Sequence, residues 1–566
     1  DGLLYSQYNA DNIDLLSSEE NFVLFGIRHM GANGFVSVEI EDARIYDVAL
    51  TQNQINSLKP NHPSEIDPYA WWDFEGEELT EKMGRYNFHN LGEREDVKHE
   101  NGKLTIYRWG SLIAIRELKN ETPEWPENPP DDWMTFHLAH PGPGIGEPGD
   151  PNPAYYHEGK YHLHYIYNSI VGFNYAHVSS EDMVYWNWHQ TVLTPAFTGH
   201  GMFSGTGFFT KEGKPAMVYH GVGSGTNVIT YALDDELDKW TKPKPIKPVK
   251  ENGEYVNYRE FWDPDLWLMG DTYYALSGGK NPPLMKSLDL ENWIYLDDLL
   301  HKDYKGEPNI PRDEDISCAN MFRIGNKWML LCISHRLGCR YFLGDFINEK
   351  YMPSSHHMMN WVNTDWENGP DGLVYFAPES MLAEDGRRIM WAWIIGDIKP
   401  SAIQALPREI ELPEDGILRI RPLRELEKLR YDEKKLKNIS VKKHEAFDLK
   451  EIRGDAIELQ INFGSDLPKE FGLNLFDENL KIEYGSKKES LSIGSINPPF
   501  KLNEDEELIL RIFIDKNLVE VFANDRQAAV VSSGAIRKNP NIQIYTNDVD
   551  LLIKEIKSWK MKSIYK

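Results

Sequence analysis

Acidic side chains recur at a corresponding place ahead of four of five repeated glycines in the middle of the 566-residue chain, and a serine stands ahead of the other. Seven to ten residues before these glycines stand Asp150, Ser204, Asp263, Asp315 with Ser317, and Glu379. Carboxylates that converge repel one another and are costly to desolvate, so a purely stabilising role explains such a set poorly. We therefore expect the set to perform chemistry, although for any single Asp a turn beside Pro is an equally good explanation.

Several close carboxylates suit the cleavage of a glycosidic bond. One acts as nucleophile or base, one as acid, and a third can stabilise positive charge on the sugar ring. A calcium site is the competing interpretation of clustered carboxylates. No cluster of His or Cys accompanies them in the sequence, so we expect neither a metal requirement nor a cofactor.

The five glycines, at 159, 213, 270, 325 and 386, belong to an internal repeat with spacings of 54, 57, 55 and 61 residues. Each closes a short turn and precedes an aromatic-rich run, a pattern typical of a β-hairpin. Repeats of this length with about four strands each predict the blades of a β-propeller, and five copies predict five blades. The strand before each glycine should then line the central cavity. A stacked β-solenoid is the alternative, although its repeats are usually shorter.

The sequence ahead of the repeats predicts a separate β module at residues 1–125. It has one short helix at 51–58, and residues 41–50 and 70–76 resemble parts of laminin-G-like or concanavalin-like, that is lectin-like, sandwiches. A Pro-rich linker at 122–130 leads into the propeller, which we place at residues 131–425.

The sequence after the repeats predicts a charged helical connector at 424–437 and a C-terminal β-sandwich at 437–566. Apolar alternating runs at 508–515 and 518–523 indicate a hairpin of that sandwich. The whole chain is therefore predicted to be all-β.

The composition excludes several kinds of partner. A formal net charge of -28 disfavours nucleic acid and anionic membranes, whereas a neutral sugar is indifferent to this field. No apolar run is long enough to span a membrane. Three cysteines, Cys318, Cys332 and Cys339, form neither a disulfide framework nor a zinc pattern, and we interpret them as buried apolar residues. A carbohydrate substrate is the partner that remains.

Six short motifs occur in one order: Asp-Pro-Asn at 150–152, Phe-Ser-Gly at 203–205, Asp-Pro at 263–264, Ser-Cys-x-x-x-Phe at 317–322, Phe-Ala-Pro at 376–378 and Leu-Pro-Arg-Glu at 406–409. This order resembles glycoside hydrolase family 32, the invertases, inulinases and levanases. The resemblance runs from about His137 to the end, because that family also carries a C-terminal sandwich with a Val-Glu-Val-Phe hairpin, here 519–522.

The resemblance implies retaining hydrolysis of β-fructofuranosides such as sucrose, fructo-oligosaccharides or fructan, or transfer of the fructosyl unit. It implies that Asp150 is the nucleophile and that Asp263 stabilises the oxocarbenium-like transition state. Further substrate-binding residues are expected at Asn152, Ser204, Trp262, Ser317, Glu379 and Trp393.

The chain departs from the family's pattern at three of these motifs. Glu-Pro-Gly-Asp-Pro-Asn-Pro stands at 147–153 in place of Trp-Met-Asn-Asp-Pro-Asn-Gly. Trp262 replaces an Arg, and Ser317 replaces the Glu that serves as acid and base. Because Ser cannot protonate a leaving group at useful pH, another carboxyl group must do so. Asp315 is the first candidate, since a bulge beside Cys318 could bring it forward, and Glu379 is the second.

Three functions therefore remain open from the sequence. The chain is an active retaining fructosidase, a catalytically weak sugar-binding relative, or a glycosidase of a neighbouring five-bladed family with another sugar specificity. Its N-terminal module either binds glycan or only packs on the propeller. In that module, Trp71, Trp72 and Trp109 either stack on sugars or fill the core. Use of polysaccharide would place the protein outside the cell or in the periplasm.

Overall fold

The computed structural model describes residues 22–27, 35–90, 96–108, 110–116, 122–125, 127–256, 262–308, 310–361, 372–485, 489–534, 536–537 and 540–565. Helices in this part of the chain are short: α1 (Gln52–Ser57), α2 (Pro195–Thr198) and a 3-10 helix at Arg424–Leu429. None of the described helices has the length and apolar character that crossing a membrane requires. Strands make up most of the remainder, as the sequence predicts.

Five antiparallel sheets follow one another through the middle of the chain, with one short parallel pair in the third. The first contains β9 (Ala154–His157), β10 (Lys160–Ser169), β11 (Gly172–Ser180) and β12 (Asn187–Trp188). The second contains β13 (Gly201–Phe209), β14 (Pro215–Val222), β15 (Thr226–Tyr231) and β16 (Lys244–Pro245). The third contains β17 (Pro248–Val249), β18 (Asp265–Met269), β19 (Thr272–Leu276), β20 (Pro283–Ser287) and β21 (Trp293–Asp298).

The two remaining sheets of this series lie on either side of residues 362–371. A small pair, β22 (Gly306–Glu307) and β23 (Ile310–Pro311), comes first. The fourth sheet contains β24 (Ser317–Ile324), β25 (Lys327–Ser334), β26 (Gly338–Ile347) and β27 (Lys350–Met358). The fifth contains β28 (Val374–Leu382), β29 (Arg388–Ile395), β30 (Arg408–Glu411) and β31 (Arg419–Pro422).

The five predicted hairpins are confirmed. Each repeated glycine lies in the turn between the two strands of its hairpin and has a φ between 54° and 83°, a region that favours glycine. The first strands of these hairpins, β9, β13, β18, β24 and β28, contact one another in succession, and β28 contacts β9. Residues that lie at the start of these five strands are therefore brought close together.

The N-terminal part forms two three-stranded sheets and a strand pair around a core of its own. Its strands are β1 (Phe22–Phe25), β2 (Val38–Ile40), β3 (Ala43–Ile45), β4 (Ala70–Trp72), β5 (Asn87–Asn90), β6 (Val97–Glu100), β7 (Lys103–Ile106) and β8 (Leu112–Ile115). The predicted helix is confirmed as α1, which Thr51 and Gln54 close with a reciprocal capping box. Trp71 and Trp72 are buried, which supports the core interpretation, and Trp109 lies outside the described residues.

One face of the N-terminal part packs on the first of the five sheets. Ile113 and Ile115 of β8 form an apolar cluster with Val171, which lies in the β10–β11 turn. The side-chain amide of Asn90 also donates to the carbonyl of Gly199. These contacts cover apolar surface, as expected for a module that packs on its neighbour.

Two sheets that share one core form the C-terminal part. The six-stranded sheet has the order β32 (Arg430–Val441), β42 (Leu551–Met561), β34 (Ala456–Gly464), β38 (Leu508–Asp515), β39 (Leu518–Ala523) and β40 (Gln527–Ser532). The five-stranded sheet has the order β33 (Ala446–Asp448), β41 (Ile542–Thr546), β35 (Glu470–Leu475), β36 (Leu480–Gly485) and β37 (Ser490–Ile493). The predicted 508–515 and 518–523 hairpin is confirmed as β38–β39.

The predicted helical connector at 424–437 is wrong after its first six residues. The chain leaves the 3-10 helix at Leu429 and continues directly as β32, which pairs with β42. Charged residues dominate β32 because it is the edge strand of its sheet, where lysines protect the exposed edge from further pairing. Its charge density suggested a solvated helix, but the strand begins at Arg430.

A buried polar network joins the two parts of the molecule. His137 contacts Asp515 through Nδ1 at 2.9 Å and Glu520 through Nε2 at 3.2 Å. The fully buried Arg408, from the Leu-Pro-Arg-Glu motif, donates to the other oxygen of Glu520 at 3.4 Å. Burial alone would lower the pKa of His137, but its two carboxylate partners outweigh burial and raise the pKa to about 9. His137 is therefore cationic at neutral pH.

We predict that His137→Gln lowers the free energy of unfolding at pH 6 by about 3–5 kcal/mol, because two buried carboxylates lose a cationic partner. A pKa raised from 6.5 to about 9 gives stability that is complete below pH 6.5 and lost as pH rises through 9. The difference between wild type and variant should therefore shrink between pH 6 and pH 9.5 in urea denaturation. A difference that is constant with pH would contradict a cationic His137.

Candidate active site

The candidate residues lie just before or within the first strands of the hairpins. Asp150 and Asp263 precede β9 and β18, Ser317 opens β24, and Ser204 and Glu379 lie within β13 and β28. The register of three of these strands shifts beside the candidates, between Met202 and Gly205, Ser317 and Asn320, and Phe376 and Glu379. The bulge expected beside Cys318 is therefore confirmed, and Cys318 has a φ of 45°. Bulges re-aim side chains next to functional sites.

Asp150 is buried beside a single hydroxyl donor. Ser204 Oγ donates a short hydrogen bond to Asp150 Oδ2, while Oδ1 has no hydrogen-bond partner among the described residues. Burial, with a smaller contribution from Asp263, raises the pKa of Asp150 to about 7. An oxygen that is buried and unbonded is costly, and such groups are retained where they do chemistry.

Asp263 is held in the same way by the fourth sheet. The backbone N–H of Cys318 donates to Asp263 Oδ2 at 3.2 Å, and Asp263 Oδ1 has no hydrogen-bond partner in the described part of the chain. Burial raises the pKa of Asp263, which also has a φ of 44°. A residue held in this region of φ stores strain, as is common where a side chain must be aimed at a ligand.

The thiol of Cys318 lies between the two carboxylates. Its Sγ is 3.5 Å from Asp263 Oδ2 and 3.9 Å from Asp150 Oδ2. Burial raises the pKa of this thiol, so it stays protonated and can donate to either carboxylate. Cys318 is buried as predicted, but its contact with both carboxylates is a role that the sequence did not indicate. All three cysteines are free and buried.

Glu379 belongs to a second acidic pair with Asp265. Glu379 accepts from the backbone of Ala154 and the amide of Asn320, and Asp265 accepts from Thr206 Oγ1 and the backbone of Met321. Burial raises the pKa of both, to about 6 for Asp265. Glu379 is only 1% exposed, and each of its oxygens already accepts one of these hydrogen bonds. Asp265 was not identified from the sequence, although it lies two residues after Asp263.

The other expected substrate-binding residues differ in access. Asn152 is buried and accepts from Tyr175 Oη at 3.3 Å. Trp393 is buried too, and it packs so closely on Gly149 that a Cβ there would lie 3.0 Å from its ring. These two side chains therefore support the segment that carries Asp150. Trp262 is 39% exposed and can offer a ring face to a ligand.

A chain of hydrogen bonds runs along the rim of the site. Trp262 Nε1 donates to Ser317 Oγ at 3.2 Å, and Ser317 Oγ donates to Asp315 Oδ1 at 2.9 Å. Asp315 Oδ2 accepts from the His335 ring at 2.6 Å and from the His335 backbone at 3.1 Å. Burial alone would raise the pKa of Asp315, but the contacts with His335 outweigh burial and lower it. A carboxyl group that is held ionised is a poor proton donor, which weakens the expectation that Asp315 is the acid.

Two histidines of the site were missed because they lie outside the family-like motifs. His220 lies in β14, the second strand of its hairpin, and His335 directly follows β25, the second strand of another hairpin. The hydrogen bond to Asp315 raises the pKa of His335, and burial lowers that of His220. The pairing of the strands reveals both histidines. Ser317 pairs with Ile333, two residues before His335, and Met202 pairs with Gly221, one residue after His220.

One group in the described residues has the composition of a metal site. Ligand atoms of His177, His189 and Asp238 lie within 4.8 Å of one another. Asp238 already accepts from both rings, at 3.0 Å and 2.9 Å, so hydrogen bonding accounts for the arrangement. Neither Asp150 nor Asp263 belongs to a potential ligand group of this kind in the described chain.

Comparison with known proteins accounts for most of the chain. Glycosyl hydrolases family 32 N-terminal domain matches residues 140–422, and Glycosyl hydrolases family 32 C terminal matches residues 425–560. Raffinose invertase of Escherichia coli is 26% identical over 442 residues, which cover 70% of this chain and 88% of that protein. Levanase of Bacillus subtilis (strain 168) is 24% identical, over 74% of this chain and 69% of that protein.

Solved structures show the same fold. Exo-inulinase from Aspergillus awamori superposes with a TM-score of 0.62 at 16% identity, covering 79% of this chain and all of that one. Sucrose-6-phosphate hydrolase from Lactobacillus gasseri gives a TM-score of 0.59 at 22% identity, covering 76% of this chain and 94% of that one. The two matched domains together span well over half of the sequence and include every candidate residue. This chain therefore belongs to glycosyl hydrolase family 32.

Proposed function

We propose that this enzyme hydrolyses a neutral β-fructofuranoside with retention of configuration, at a site on the axis of a five-bladed propeller. The observation that carries the proposal is the pair of buried carboxylates, Asp150 and Asp263, each with one unbonded oxygen and both in contact with one protonated thiol. The circuit of contacts among the five first strands supports the assignment of five blades.

Asp150 is the proposed nucleophile. Its single strong donor, Ser204, fixes one oxygen, so the unbonded Oδ1 is left to attack the anomeric carbon of the sugar. Since burial raises the pKa of Asp150 to about 7, the carboxylate is weakly stabilised when ionised and correspondingly reactive. The product of the attack is a fructosyl ester, whose formation removes the buried charge.

Asp263 is the proposed stabiliser of the transition state. It is ionised less easily than an exposed Asp because of burial, and the Cys318 backbone N–H holds it in one orientation. A fixed carboxylate gains most when positive charge develops on the sugar ring, because the surroundings are dry and no reorganisation is needed. Asp263 should therefore act on the rate of bond cleavage more than on binding.

The charge of the protein supports a neutral substrate. The net charge is -28, and Trp262 stands where the family's pattern has a cationic Arg. A phosphorylated sugar would meet repulsion here, whereas a neutral sugar can place an apolar face on the half-exposed Trp262 ring. Sucrose-type fructosides and fructans are accordingly the substrates we propose.

The N-terminal part is proposed to be a laminin-G-like module that packs on the propeller and does not bind glycan. The burial of Trp71 and Trp72 supports a structural role, because neither ring is free to stack on a sugar. Action on sugar polymers, together with an accessory β module, supports a location outside the cytoplasm.

We predict that Asp150→Asn lowers the turnover of fructosides by roughly 10⁴-fold or more, because no covalent intermediate can form. In the wild type, kcat/KM should fall about tenfold per pH unit below pH 7, since attack needs the ionised carboxylate. A carboxyl with a raised pKa destabilises the fold once it ionises, so at pH 8 the variant should melt no lower than wild type. A variant with near-normal turnover would contradict the assignment.

We predict that Asp263→Asn lowers kcat by roughly 10²–10³-fold and changes KM by much less, since its contact strengthens in the transition state. Steady-state kinetics on sucrose and raffinose, with thermal melting as a control for folding, would test this. A change confined to KM would show that Asp263 only binds the substrate.

A further inference from the structure

Two of the three departures from the family's pattern, Trp262 and Ser317, belong to one series of hydrogen bonds. Trp262 donates to Ser317, and Ser317 donates to Asp315, which in turn accepts from His335. The position that holds the family's acid is thus occupied by a hydroxyl that links Asp315 to Trp262. This series of hydrogen bonds ends on the imidazole of His335, a side chain that can transfer a proton near neutral pH.

His335 is exposed and lies beside the position that holds the family's acid. It follows β25, whose Ile333 pairs with Ser317, so the ring stands at the same end of the fourth sheet as Ser317. Its side chain is 63% exposed, whereas Asp150 and Asp263 are 3% and 4% exposed. The ring also contacts Phe376 of the fifth sheet edge-on, at 5.7 Å between centroids. A buried nucleophile can attack the anomeric carbon of a glycosidic bond while an exposed imidazole protonates the glycosidic oxygen.

We propose that His335 is the general acid and base of this enzyme, and that Asp315 is a positioning residue that orients and charges it. The inference rests on the proposed function, because it assigns the proton transfers of the same reaction. Since Nδ1 of His335 is bound to Asp315, Nε2 carries the proton that is transferred.

The two chemical steps balance with this assignment. Asp150 attacks the anomeric carbon, the bond to the glycosidic oxygen breaks, and its electron pair takes the Nε2 proton of His335, releasing an alcohol. The neutral imidazole then accepts a proton from water, and the resulting hydroxide oxygen bonds to the anomeric carbon. The ester bond breaks with its electrons on Asp150, which restores both the carboxylate and the imidazolium.

The charges around His335 favour its protonated form. Asp315 faces it directly, Asp263 and Asp150 act on it from across the site, and the pKa of the ring is raised. The neighbouring Arg336 is neutralised by its pair with Glu314 at 2.6 Å. The active form therefore combines an ionised Asp150 and a cationic His335, which requires a bell-shaped profile of kcat/KM against pH.

Other groups fit the acid's role less well. The pKa of Asp315 is lowered, and Glu379 is enclosed by Ala154 and Asn320. His220 is the remaining rival, because it lies near Asp263, but burial lowers its pKa and leaves it neutral at pH 7. It belongs to the second sheet, whereas the position of the family's acid is on the fourth.

The decisive comparison uses two substrates that differ in their need for a proton. On sucrose or raffinose, His335→Gln should lose at least about 100-fold in kcat/KM. On 4-nitrophenyl β-D-fructofuranoside, which leaves without protonation, the burst of nitrophenolate should change by less than about fivefold. Turnover after the burst should be slow, because the base is also missing, and azide should accelerate it by forming fructosyl azide.

Matched variants separate this role from general damage. His301→Gln removes another half-exposed His–Asp pair, with Asp303 at 3.6 Å between β21 and β22, and should leave both substrates unaffected. Asp315→Asn should move the alkaline limb of the pH profile to lower pH, because His335 loses the hydrogen bond that raises its pKa. A structural role for Asp315 would lower the rate without moving that limb.

The outcomes distinguish this inference from the function it rests on. If wild type cleaves neither substrate type, the proposed function fails and this inference with it. If wild type is active and His335→Gln retains its activity on sucrose and raffinose, the inference alone is wrong. If His220→Gln shows the dependence on the leaving group instead, the acid is His220 and the assignment to His335 is overturned.

Discussion

The burial of two reactive carboxylates at one point is the constraint on which the structure depends. Asp150 and Asp263 are nearly free of solvent, and an ionised carboxylate in such a place needs donors that are fixed in advance. The donors come from different sheets, since Ser204 lies on the second and Cys318 on the fourth. The site therefore depends on the relative positions of several sheets, and a single hairpin could not provide it.

The rest of the molecule supplies that rigidity. The first strands contact one another around a circuit, and residues of the C-terminal sandwich, among them Phe513 and Phe522, belong to the same apolar core as the first, fourth and fifth sheets. The polar contacts of His137 and Arg408 with Asp515 and Glu520 add directional bonds to this packing. Because such pairs are costly to bury, they specify how the two parts meet more than they stabilise either part.

Local signals in the sequence predicted what depends on local chemistry. Each repeated glycine marks a turn that needs a positive φ, so the hairpins could be predicted, and the residues ahead of the glycines led to the proposed roles of Asp150 and Asp263. Residues 430–437 were predicted as helix because charge density does not distinguish a solvated helix from an edge strand. Cys318 and His335 acquire their roles from neighbours that are distant in sequence, which only the register between strands reveals.

Moving the proton from a strand carboxyl to a rim imidazole changes the electrostatics of the reaction. A carboxylic acid starts neutral and becomes a carboxylate beside Asp263 as it gives up its proton, whereas an imidazolium starts positive and ends neutral. The cation lowers the cost of ionising Asp150 before the attack, and the hydrogen bond to Asp315, with smaller coulombic contributions from Asp263 and Asp150, raises the pKa of His335. His335 becomes neutral as positive charge develops on the sugar ring. No second cation then competes with the ring for the negative charge of Asp263. Ser317 in place of a Glu is thus compatible with catalysis, because Ser317 donates a hydrogen bond to Asp315, and Asp315 in turn holds the imidazole of His335.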